Sequence, residues 1–191
     1  ARAAHLSNFP VIATILSMIL GLSVTRLLTG LVTLFRIRHT TPIDWVPVAW
    51  ATVLFSTQLE FWWAINQLPK LEDSFSFLEF IFFVLLTLML FITASLLLPN
   101  RSEDEVDGAQ VYFEKDGRFA LLSLSAFLVL GFILNVFILH SPMLAYWAAL
   151  DALMIILPTV AFLAKSRRIY AAITLIYLPL SAIDLLVSLT D

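Results

Sequence analysis

The sequence predicts an all-α fold: a polytopic integral membrane bundle of six transmembrane helices, with both termini outside. Three observations predict it. The chain of 191 residues is 61% hydrophobic and only 13% charged. With a mean hydropathy of +0.96, that is more apolar side chain than one water-soluble core hides. Apolar runs of roughly 20 residues, the length of helix that crosses a bilayer, recur along the chain. Lysine and arginine also alternate between connections. Arg36, Arg38, Arg101, Lys115, Arg118, Lys165, Arg167 and Arg168 fall in the odd-numbered connections, and only Arg2 and Lys70 fall on the opposite side. Because cytoplasmic loops are enriched in these residues, loops 36–42, 100–118 and 164–168 are expected in the cytoplasm. The expected setting is a bacterial-type inner membrane.

The spans are read as 10–35, 45–68, 77–98, 119–139, 142–163 and 169–189, in one transmembrane domain covering residues 1–191. In the first, Ser17, Gly21, Thr25, Thr29 and Thr33 recur every four residues. Such a stripe of small residues lets helices approach closely, within the chain or between copies. The second begins after Thr41, Pro42 and Asp44, an order that reads as a cap, a first-turn proline and an acidic third position. The third begins with a capping box, Ser76 and Glu79. Its phenylalanines (Phe75, Phe77, Phe80, Phe82, Phe83 and Phe91) read as lipid-facing. The very short second and fourth connections make spans two and three, and four and five, antiparallel neighbours. Pro158 and Pro179 lie well inside spans five and six, where each frees a carbonyl one turn earlier, at Met154 and Leu175, and favours a kink.

Recognisable chemistry is sparse. There is no cysteine, hence no disulfide, thiolate metal site or cysteine nucleophile. No zinc-protease helix, nucleophile elbow, Walker loop or dinucleotide fingerprint occurs. The three histidines, His5, His39 and His140, do not make a haem pair, and no basic run suggests nucleic acid. The acidic loop 100–118 places Glu103, Glu105, Asp107, Gly108 and Glu114 on calcium-loop spacing. Glutamates replace the short ligands of a tight loop, so solvated acidity is the expectation. Neither a metal nor a cofactor is expected.

The polar residues inside spans are more informative. Arg26, Glu60, Asp151 and Asp184 are ionisable, with Gln58 and Asn135 as uncharged companions. Such residues are costly in lipid and face a bundle interior, a partner charge or water. At 1.5 Å per residue from the cytoplasmic boundary, Glu60, Asn135, Asp151 and Asp184 fall roughly 21 to 26 Å up, in one layer of the outer leaflet. Arg26 falls about 15 Å up, near enough to predict a salt bridge to Glu60. The layer is either a network that fixes helix register or the wall of a cavity open to the outside. The leading expectation for function is a non-catalytic accessory or scaffold subunit, or a helical module that binds lipid or a small ligand. The alternatives are a small ion- or proton-coupled transporter or channel using these carboxylates, and a lipid-modifying membrane enzyme. The expected partners are membrane lipid and, beyond it, a larger membrane complex or a second copy of the chain.

Overall fold

A computed structural model describes residues 9–39, 41–71, 76–99, 108–138 and 147–188. Every element among them is helical: α1 (Phe9–Ile37), α2 (Trp45–Leu71), α3 (Phe77–Leu97), α4 (Gly108–Tyr112), α5 (Phe119–Ile133), α6 (Trp147–Leu163) and α7 (Arg167–Ser188). Two π-turns, Phe113–Gly117 and Leu134–Ile138, join α4 to α5 and prolong α5. Four stretches are long and apolar enough to cross a membrane: α1, α3, Phe119–Phe137 and α7. The apolar part of α6, Ala149–Leu163, is shorter. At 27 residues α2 has the length, but Gln58, Glu60, Asn66 and Gln67 dilute its apolar character.

The helices close into a ring. α1 packs between α2 and α3, α3 against α5, α5 against α6, α6 against α7, and α7 against α2, while α2 also reaches α3. Outward positions carry large apolar side chains such as Met18, Val32, Phe77, Leu163 and Leu175. An apolar outer surface of this kind suits contact with lipid rather than water.

Helix α1 packs through Leu16, Leu20, Ser23, Leu27, Gly30 and Leu34, a seam at three- and four-residue spacing. This differs from the expected stripe. Gly21, Thr25 and Thr29 are exposed, and the two threonine hydroxyls donate to carbonyls one turn back, at Gly21 and Thr25. Ser17 is half-buried and only Thr33 is buried. The close approach is made instead at Gly30, where a Cβ would stand 2.6 Å from the Leu98 Cβ. Spacing identified small residues correctly but could not say which face of α1 turns inward.

Helix α2 starts one residue after Asp44, whose Oδ1 accepts from the Val46 N–H at 3.2 Å. Asp44, rather than Thr41, is therefore the capping residue. Asp44 also forms a bidentate ion pair with Arg167, at 3.1 and 3.0 Å. One to two turns further on, the Trp50 indole donates to Thr174 Oγ1 at 2.9 Å and stacks on Tyr177 at 4.7 Å. These pairs advance together along both chains, so α2 and α7 run parallel. The α3 capping box is present: the Ser76 hydroxyl accepts from the Glu79 N–H, and the Glu79 carboxylate accepts from the Ser76 N–H. Within α3 the phenylalanines divide, because Phe77 is exposed while Phe83 is buried in the core.

The acidic connection is not wholly a solvated loop. From Gly108, which adopts φ +82° against Thr41, a helical segment runs into α5. The Tyr112 hydroxyl donates to the Leu96 carbonyl at 3.0 Å, and Phe113 is buried against Tyr170. Glu114 accepts from the Tyr170 hydroxyl at 2.7 Å and from Gln110 at 2.9 Å. Glu103, Glu105 and Asp107, the other acids of the calcium-like spacing, lie outside the described residues, as do His5, His140, Ser141 and Pro142.

An intramembrane cavity as candidate functional site

Further up the ring, beyond Trp50 and Tyr177, the helices part around a cavity of about 580 Å³. Helices α2, α3, α5, α6 and α7 line it. Thr57, Glu60, Ala64 and Gln67 follow the helical period on α2, and Asp151, Met154 and Ile155 follow it on α6. Asp184 and Ser188 lie one turn apart on α7, and Gly131 and Asn135 do so on α5 and its π-turn. Phe83 and Leu86 of α3 close the inner wall.

Four of the six polar residues singled out in the sequence therefore meet: Glu60, Asn135, Asp151 and Asp184 line one cavity. The carboxylates are each half-buried. Among the described residues none of the three forms an ion pair, and Asp44–Arg167 is the only such pair. They are close enough for Glu60 to feel the charge of Asp184, and Asp184 that of Asp151. Among the described residues no basic side chain lines the cavity. Among the described residues no three acidic or histidine groups converge as metal ligands would, so the carboxyl groups are spread around the wall.

The other two residues point elsewhere. The side chain of Gln58 is buried, and its Nε2 donates to Ser23 Oγ of α1 at 2.7 Å, leaving Oε1 without a partner. That contact fixes the rotation of α2. Two residues further on, about 200° around the helix, Glu60 must face away from α1. Arg26 sits on α1, so the predicted Arg26–Glu60 salt bridge does not form. Depth arithmetic placed the two within reach, but the facing of α2 separates them.

The aromatic wall was not anticipated. Phe61 and Phe127 meet edge to face at 5.5 Å and 84°, and Phe132 and Trp63 join them at the cavity. Trp63 reads from the sequence as an interfacial indole. The available signal was periodicity: residues three and four positions from each intramembrane carboxylate, such as Thr57 and Ala64 around Glu60, share its face. Trp63, Ala64, Asn135 and Ser188 are exposed and form the open side.

At the opposite end, the 108–118 segment holds Glu114 beside Tyr170. The Tyr170 hydrogen bond, then that from Gln110, keeps the Glu114 carboxyl below its ordinary value of 4.5, with Arg167 and Arg118 adding to the effect. This end is an assembly of structural contacts around Asp44 and Arg167. Comparison of the chain with protein families, with curated proteins and with solved structures gives no match.

Proposed function

We propose that this chain is a non-catalytic membrane module in which α1, α2, α3, α5, α6 and α7 cross the bilayer and which binds a small ligand in the cavity between α2, α5, α6 and α7. The observation that supports it most is the convergence of Glu60, Asn135, Asp151 and Asp184 on one space of about 580 Å³. That size falls within the range of roughly 300–1,000 Å³ usual for small-molecule sites. A polar layer serving only helix register would fill its interior with mutual hydrogen bonds. Here the carboxylates face space instead. In this reading the segments 36–42, 100–118 and 164–168 lie in the cytoplasm, and the open side of the cavity faces the outer leaflet.

Gly131 provides the test. It lines the cavity, and a Cβ built on it meets nothing within 4 Å, so Gly131→Leu fills the site without a clash. The expected result, by native mass spectrometry from mild detergent, is a small molecule bound to the wild type and lost from Gly131→Leu, with the fold retained by circular dichroism. Identical spectra for both proteins would refute the reading.

A second reading, ion- or proton-coupled transport through the same carboxylates, is favoured by one further feature. Helices α6 and α7 each carry a proline, Pro158 and Pro179, alongside Asp151 and Asp184. Helices interrupted in this way line ion paths in known transporters. Flux into liposomes under an imposed gradient, abolished by Asp151→Asn, is the expected outcome. No flux under any gradient excludes it.

A further inference from the structure

The walls of the cavity also restrict what fits it. We infer that its occupant is a lipophilic organic cation, a molecule with one delocalised or shielded positive charge on an aromatic or alkyl body. The inference rests on the ligand-binding reading above and adds the chemical class. Charge complementarity sets the sign: among the described residues the ionisable side chains at the cavity are Glu60, Asp151 and Asp184, all acidic. An anion there would be repelled by whichever of them is ionised.

The arrangement of the acids sets the kind of cation. They come from three helices and do not converge as a metal site requires. A small ion with a tight coordination shell could satisfy only part of the set. A bulky cation whose charge is spread over its surface meets all three at longer range.

The aromatic wall supplies the remaining contacts. Phe61 and Phe127, edge to face with one another, and the indole of Trp63 line the cavity, and aromatic surface of this kind attracts a cation and buries its apolar body. The open side, at Trp63 and Ala64, lies on the stretch of α2 where the sequence reads as the approach to the outer interface. Amphiphilic cations accumulate at such depth, with their charge toward water and their body in the acyl chains.

The test uses aryl probes of related shape and different charge. Purified full-length protein in mild detergent is titrated with tetraphenylphosphonium, with tetraphenylborate of nearly identical shape, and with neutral triphenylphosphine oxide. Binding is read by equilibrium dialysis and by protection of an Ala64→Cys variant from maleimide labelling, which is clean because the chain has no other cysteine. The expected result is saturable binding of the cation, at least about tenfold tighter than of either other probe, weakened about tenfold in Asp184→Asn. If Asp184→Asn does not fold by circular dichroism, Glu60→Gln takes its place with the same expectation. Equal binding of the three probes, or unchanged affinity in the folded carboxamide variant, overturns the cation assignment. If the neutral probe alone protects Ala64→Cys, the site binds ligands but not cations. If no probe protects it, both readings fall.

Discussion

At the residue scale, the structure is governed by where single polar groups find partners. Asp44 has a side chain only 2% exposed, while that of Arg167 is 41% exposed. Removing the cation therefore strands a buried carboxylate, whereas removing the acid returns a half-exposed guanidinium to water. Arg167→Ala is expected to destabilise the protein by about 2–3 kcal/mol, below the full cost of breaking a wholly buried pair. Adding Asp44→Asn should recover part of that loss, because the neutral amide still caps Val46. Unfolding by sodium dodecyl sulfate, followed by circular dichroism in a double-mutant cycle, checks both. Glu114 gives a pH signature. Its folded-state carboxyl lies below the ordinary value because Tyr170 and Gln110 donate to the charged form. The stabilisation it provides is thus complete above the unfolded value of about 4.5 and fades as pH falls through the lower folded one. Acid unfolding of the wild type should show a component below pH 4.5 that Glu114→Gln lacks, measured by thermal melts from pH 6 to 3. Asp44 and Arg167 are 123 positions apart and Glu114 and Tyr170 are 56 apart, so neither pairing was legible beforehand.

At the element scale, helix existence was legible and helix facing was not. Runs such as 77–98 and 169–189 become α3 and α7 nearly as expected, because an apolar segment in lipid must satisfy its backbone internally and does so as a helix. Capping chemistry was half legible. Ser76 and Glu79 form their box, whereas Asp44 displaces Thr41 as the α2 cap because it can reach both Val46 and Arg167. The stripe on α1 shows what spacing leaves open. The four-residue spacing singles out Gly21 as the contact glycine, yet it is at Gly30 that a Cβ would meet a neighbour, Leu98. Gly30→Val should force α1 from α3 and cost about 1–3 kcal/mol, as overpacking does. A Cβ at Gly21 meets nothing within 4 Å, so Gly21→Val should change stability by less than about 0.5 kcal/mol. Side-by-side detergent unfolding of the two variants decides between this packing and one through the stripe.

At the scale of the whole molecule, the ring order brings α2 and α7 together in parallel and places Glu60 and Asp184 at one level, about 16 residues or 24 Å beyond the Asp44–Arg167 pair. The absence of cysteine makes the proposed orientation directly measurable. Val111→Cys, exposed on the 108–118 segment, should react with an impermeant maleimide only after the cytoplasmic face is opened. Trp63→Cys should react in intact cells. The reverse pattern would invert the topology. Composition and hydropathy determined by themselves that the chain is helical and built for lipid, because burial in a bilayer is an additive property of consecutive side chains. Depth arithmetic also determined that four polar residues share a layer, since helix rise is constant. Only the tertiary structure decided that the layer surrounds a cavity and that Arg26 and Gln58 stand apart from it. The physical reason is rotation: each helix can turn about its axis without changing the depth of any residue, and contacts such as Gln58 to Ser23 and Trp50 to Thr174, between distant parts of the chain, are what fix that angle.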